Sequence, residues 1–175
     1  MHAITKEFDF CYGHRVHNQI LDKNYSIDDR CVCRHFHGHQ GKVIVELTGD
    51  VSNRDMVTDF KHLNWFKKFL DENIDHKFIM DLSDPIIVNI PFINKSQMLY
   101  VSDGDYYVLP NLNPQSPAVR DVVEGMIFVD FVPTSENLSK WFFKLINDRM
   151  KPLGVCVSKV TFKETPKTSA QYTEA

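Results

Sequence analysis

The stretch Cys31 to His39, C-V-C-R-H-F-H-G-H, packs three imidazoles and two thiols into nine residues. His37 and His39 are separated only by Gly38, and the G-K-V-I-V-E-L run after them reads as a strand. On a strand, side chains two apart point to the same face, so both rings can reach one metal ion. Neutral imidazole is a favoured zinc ligand, and a catalytic zinc takes three protein ligands and keeps one position open. The third ligand must come from elsewhere, and H-R-V-H at residues 14–17 offers either His14 or His17. The alternatives are a solvated polar loop, or a closed structural zinc module built from Cys31, Cys33, His37 and His39. The C-x-C and H-x-H spacings are not those of common zinc fingers, which argues against the module.

These residues need a scaffold, and the composition supplies one. With 175 residues, 43% of them hydrophobic, the chain can bury the core of one ordinary domain. A net charge of -3 gives no global basic field to recruit nucleic acid. No apolar run approaches the roughly 20 residues that span a bilayer, and the first residues lack a signal peptide's apolar centre. The expectation is a soluble cytoplasmic protein with neither nucleic-acid nor membrane partners. Of the four cysteines, Cys11 and Cys156 lie in apolar strand-like runs and are expected in the core.

Residues 3–12 alternate as a strand, which places His14 at its end, where a side chain can be held rigidly. Residues 40–50 form the second strand, and pairing the two brings His14 next to His37 and His39. Phe60, Leu63, Phe66, Phe69 and Leu70 make the stripe of a helix over 59–73, capped by Asp59. Asp75 and His76 come next, where the chain reverses, and could supply a carboxylate and a proton-accepting imidazole to one site. Residues 81–130 read as an insertion of β-rich character, with a hairpin turning at Asp103-Gly104 and a strand near G-M-I-F-V. A second helix opens at Pro133 to Glu136 and runs to about Met150, with Leu138, Trp141, Phe142, Leu145 and Ile146 as its apolar stripe. Strands over 155–165 and 169–173 complete the chain. Order and periodicity give an α+β class: a four-stranded antiparallel sheet with two helices on one face, in a single domain over 1–175 interrupted at about 81–130.

Taken together the pieces resemble the 6-pyruvoyl-tetrahydropterin synthase and 6-carboxy-tetrahydropterin synthase family, the tunnelling-fold pterin enzymes. They are F-D-F-x-x-x-H-R ending at Arg15, C-R-H-F-H-G-H at 33–39, V-T-D-F at 57–60, D-H at 75–76, P-T-S-E-N-L at 133–138 and F-K-E-T at 162–165. Residues 81–130 have no counterpart in that pattern. The resemblance implies a tunnelling fold with Zn2+ on His14, His37 and His39. It also implies a catalytic cysteine a fixed distance before H-G-H, with Asp75 and His76 as a second proton-handling pair. Cys33 satisfies the C-x-x-x-H-G-H spacing of carboxy-product members, and Cys31 satisfies the longer biopterin-type spacing. Arg34 and Phe36 favour Cys33. Glu164 matches the pterin anchor, its two oxygens accepting adjacent N–H donors. Thr134 and Ser135 are candidate substrate contacts, although a helix cap would also explain them.

The activity that the resemblance implies is that of a zinc-dependent lyase, a 6-carboxy-5,6,7,8-tetrahydropterin synthase. It would act on 7,8-dihydroneopterin triphosphate with loss of triphosphate and acetaldehyde, as in queuosine and deazaguanine pathways. The pyruvoyl product of pterin biosynthesis is the alternative. A homo-oligomer, trimer or hexamer, is implied too, with sites at the joins between subunits.

Overall fold

The computed structural model describes residues 1–51, 55–110 and 116–174. Among them, in chain order, are β1 (His2–His14), β2 (His37–Gly49), α1 (Asn64–Phe69), β3 (Lys77–Asp81), β4 (Leu99–Val101), β5 (Tyr106–Val108), α2 (Pro117–Glu124), β6 (Met126–Val129), α3 (Ser135–Met150), β7 (Cys156–Thr165) and β8 (Thr168–Tyr172). The hydrogen-bonded strand order is β4-β5-β6-β3-β1-β2-β7-β8. The chain divides into two compact units, Met1–Cys11 with His39–Asp75 and Ser135–Ala175, and Tyr12–Gly38 with His76–Thr134.

In the first unit, alternation does most of the positioning. Val43, Val45 and Leu47 of β2 are buried and alternate with the half-buried Lys42, Ile44, Glu46 and Thr48. β2 pairs antiparallel with β7 from Lys42↔Lys163 to Thr48↔Cys156, and β7 pairs antiparallel with β8. α3 lies against β7 and β8. Phe8 of β1 meets Phe66 edge-on at 5.1 Å, and Phe10 meets Phe142 at 6.0 Å, so the apolar stripes of both expected helices close on aromatic strand residues. The helix expected over 59–73 is a continuous helical run of mixed pitch: a 3-10 turn Phe60–Leu63, then α1, then a π turn Leu70–Ile74. Asp59 caps it by accepting the Lys61 N–H at 2.7 Å.

The same alternation corrects one expectation. Cys11 shares the exposed face of β1 with Glu7 and Asp9, and Cys156 is exposed at the start of β7, so neither is a core residue. An apolar neighbourhood in sequence does not say which face of a strand a residue takes.

In the second unit, β1 pairs parallel with β3 at Tyr12↔Lys77 and Gly13↔Phe78, and β3 pairs parallel with β6. β4 and β5 form the expected antiparallel hairpin, and β5 adds to β6 at Tyr107↔Phe128. A small core of Met80, Ile87, Ile93 and Phe128 sits under it. The expected four-stranded antiparallel sheet with two helices is therefore corrected to eight strands of mixed direction and three α-helices among the described residues. The difference lies in the insertion and in β3, which leads into it. K-F-I-M-D is five residues long and buries Ile79, Met80 and Asp81 in succession, so it lacks the alternation that marks a half-exposed strand. Its parallel partners are reached only by crossovers, which leave no hairpin signal.

A close approach fixes the site end of β1. A Cβ on Gly13 would stand 2.5 Å from the Phe78 ring. Gly13→Ala is expected to cost about 1–3 kcal/mol by overpacking, read as a lower denaturation midpoint. An unchanged midpoint would mean that the ring swings aside.

Candidate metal and catalytic site

His14, the last residue of β1, is fully buried, and its ring centroid is 4.5 Å from that of His37, the first residue of β2. Its Nδ1 lies 2.7 Å from the carbonyl oxygen of Pro133. A carbonyl only accepts, so Nδ1 carries the proton and Nε2 carries the lone pair. His37 repeats the device: its Nδ1 donates to the His35 carbonyl at 2.8 Å. Metal-ligating histidines need such carbonyl partners behind the ring, because they fix the tautomer that leaves the other nitrogen free to ligate.

His39 stands two residues beyond His37 on the same strand, so the pleat presents both rings to one face. Its Nε2 is 3.3 Å from Oε1 of Glu164 on β7. Three imidazoles and a carboxylate, His14, His37, His39 and Glu164, could hold a metal ion. The donor set fits a divalent cation of the zinc type, with nitrogen donors and a nearby carboxylate. His17, the other candidate third ligand, is engaged elsewhere, its Nε2 lying 2.8 Å from Asp81 Oδ2.

Cys33 lies in a three-residue 3-10 turn, Val32–Arg34, and is half-buried. Both of its backbone groups are held: the Cys33 N–H donates to Gln19 Oε1 at 2.9 Å, and its carbonyl accepts the Val16 N–H at 2.7 Å. Cys31, two residues earlier, is half-buried as well, with Sγ 3.8 Å from the Asp29 carbonyl. Asp75 accepts the Cys11 backbone N–H at 2.7 Å. His76, next in the chain, is exposed and takes a left-handed backbone with φ 59. A non-glycine residue in that region costs of order 1 kcal/mol or more and is concentrated at functional positions. Thr134 and Ser135 are half-buried at the entry to α3, and Thr134 donates its N–H to the Val132 carbonyl at 2.7 Å.

Two contacts at the site could not be read from the sequence, although Glu164 itself was named there as a pterin anchor. Pro133 acts through its carbonyl, whereas the P-T-S-E segment had suggested a helix start and substrate contacts from the side chains of Thr134 and Ser135. The approach of Glu164 to His39 depends on the β2–β7 ladder, which spacing along the chain does not encode.

Burial alone would raise the Asp81 carboxyl, but hydrogen bonds from Ser83 and His17 outweigh it and hold the group below the ordinary carboxylate range. A depressed folded pKa stabilises above the unfolded value, near 3.9, and that stability is lost as pH falls through the folded one. Denaturant midpoints of Asp81→Asn should therefore converge on wild type below about pH 4. A constant gap down to the lowest pH would contradict it.

A family model described as 6-pyruvoyl tetrahydropterin synthase matches residues 3–175. A 6-carboxy-5,6,7,8-tetrahydropterin synthase of Aquifex aeolicus is 32% identical over 188 residues, covering 98% of this chain and 97% of the relative. The crystal structure of an uncharacterized protein from Wolinella succinogenes superposes with a TM-score of 0.94 at 45% identity, covering 99% of this chain and 98% of that one. Caenorhabditis elegans 6-pyruvoyl tetrahydropterin synthase shares the fold, with a TM-score of 0.57 at 20% identity and coverage of 99% and 95%.

Proposed function

The chain belongs to the 6-pyruvoyl tetrahydropterin synthase family, and from that premise we propose that it is a zinc-dependent 6-carboxy-5,6,7,8-tetrahydropterin synthase. Its substrate is 7,8-dihydroneopterin triphosphate, and triphosphate and acetaldehyde leave. The observation that carries this reading is the pair His14 and His37, adjacent and each with Nδ1 committed to a carbonyl. The 32% identical Aquifex aeolicus relative, named for the carboxy product, and the three-residue gap between Cys33 and His37 support the carboxy branch.

His14, His37 and His39 would hold a Zn2+ through ring nitrogens. When bound, zinc supplies Lewis acidity that makes a C–H beside a substrate hydroxyl more acidic. Cys33 takes a proton from the substrate carbon beside a hydroxyl and acts as a base, without forming a covalent bond to the substrate. His76 and Asp75 handle the second proton, His76 as the carrier. Glu164 anchors the pterin by accepting its ring N–H and exocyclic amine, and Thr134 and Ser135 line the substrate. In a homo-oligomer, trimer or hexamer, the site is completed between chains, and assembly also covers the outer strands β4 and β8. The setting is a cytoplasmic deazaguanine pathway of the queuosine type, and no described helix is long and apolar enough to cross a membrane.

Product analysis on 7,8-dihydroneopterin triphosphate tests the reading. Acetaldehyde together with a carboxylated pterin supports it, and a retained three-carbon side chain would assign the pyruvoyl reaction instead. Glu164→Gln is expected to raise KM at least tenfold, of order 1.4 kcal/mol or more of lost binding, with metal content intact. Loss of the metal in that variant would make Glu164 a ligand instead of an anchor.

A further inference from the structure

Two buried carboxylates have no part in the proposed mechanism. Asp81 and Asp84 are 3% and 1% exposed, one at the end of β3 and the other three residues beyond. Burying carboxylates is costly unless they are paired and hydrogen-bonded, and both are. Asp84 Oδ2 stands 2.9 Å from Arg15 Nε as an ion pair without hydrogen-bond alignment, and its Oδ1 accepts the Ile86 N–H at 2.9 Å. Asp81 Oδ2 is 2.8 Å from His17 Nε2 and accepts the Ser83 hydroxyl at 2.6 Å, while Oδ1 accepts the Ser83 N–H at 2.8 Å.

The segment these acids grip is the one that grips Cys33. Val16, between Arg15 and His17, gives its N–H to the Cys33 carbonyl at 2.7 Å. Gln19 accepts the Cys33 N–H at 2.9 Å, and its carbonyl accepts Arg34 Nε at 2.8 Å. The Arg15 guanidinium also lies 5.6 Å from the centre of the Phe36 ring, which meets Phe78 of β3 edge-on at 5.7 Å. The Cys33 turn buries none of its own residues, so it has no core to hold it. Its position depends on residues 15–19, and theirs depends on the two acids.

We propose that Asp81 and Asp84 are positioning residues that fix the Cys33 thiol through His17 and Arg15, so that the start of the 81–130 insertion is a buttress for the proposed base. A functional role for this pairing rests on Cys33 being that base, whereas the positioning itself can be read without any turnover.

The test is Asp84→Asn in the full-length protein, with iodoacetamide as the probe. Alkylation of each cysteine is measured by peptide mass spectrometry at about pH 9.5, where thiols are ionised and rate reports access. Cys33 should react severalfold faster than in wild type, with the exposed Cys11 and Cys156 unchanged as internal controls. Metal content should stay at the wild-type level. On dihydroneopterin triphosphate, kcat should fall by about 10- to 100-fold with KM little changed, the cost of a small misplacement of a reacting group, and Asp84→Glu should recover part of it.

If Asp84→Asn does not fold, His17→Gln, which leaves the Arg15–Asp84 pair in place, is read by the same criteria. Unchanged Cys33 alkylation with only a lower denaturation midpoint would overturn the proposal, since the acids would then be merely structural. Loss of metal would overturn it too, by assigning their support to His14. A wild type that turns over no pterin while Cys33 still responds would sink the enzymatic reading and leave the positioning intact.

Discussion

Cys33→Ala is expected to lower turnover of dihydroneopterin triphosphate by about 10²–10⁴-fold, the range for loss of a positioned general base. Its metal content and denaturation midpoint should match wild type. The turn that carries Cys33 is fixed through its backbone by Val16 and Gln19, and those bonds survive removal of the thiol. Cys31→Ala is the decisive companion. Both thiols are half-buried and two residues apart, so bulk accessibility does not separate them. Only Cys33 has the three-residue gap to His37. Cys31→Ala should therefore keep turnover within about threefold of wild type, under 1 kcal/mol in barrier. A collapse in Cys31→Ala with Cys33→Ala active would move the base to Cys31 and favour the pyruvoyl product. Loss of metal and fold in either variant would favour a structural thiolate site.

His37→Ala should have the largest effect on the metal. His37 packs ring to ring with His14 at 4.5 Å and has its tautomer set by the His35 carbonyl. Deleting an outer-shell partner of a metal ligand typically costs about 10–100-fold in affinity. Deleting the ligand itself should cost more, and the purified variant should carry well under one equivalent of zinc. Turnover should disappear with it. Added zinc should restore little, because two imidazoles do not make the three-ligand set of a catalytic site. A variant that kept full metal and activity would remove His37 from the proposed site.

How much of this was legible from the chain depended on whether a feature is local. H-x-H on a strand is a period-two statement, so the shared face of His37 and His39 on β2 can be read from spacing alone. The helix read as opening at Pro133 to Glu136 and running to about Met150 has a Pro and an acid at its start and a long stripe, and α3 spans Ser135–Met150. The Asp-Gly hairpin is local as well and emerges as β4 and β5. β3 was not legible, because its register is set by parallel partners far along the chain, one on each side. α2 went unread because its eight residues, P-A-V-R-D-V-V-E, are too few for a periodic signal to stand out, although Ser116 caps it by accepting the Val119 N–H. The Pro133 carbonyl, and the acids that take His17 and Arg15, depend on contacts spanning dozens of residues, which no motif window covers. Cys11 and Cys156 failed as core residues for want of one bit of information, the face of the strand.

X-ray absorption at the zinc edge of the purified protein tests the central claim most directly. Three imidazole nitrogens at about 2.0–2.1 Å plus one further light atom, with no sulfur, is the expected coordination. A sulfur scatterer at about 2.3 Å would put a cysteine on the ion and contradict the assignment of Cys33 as a base.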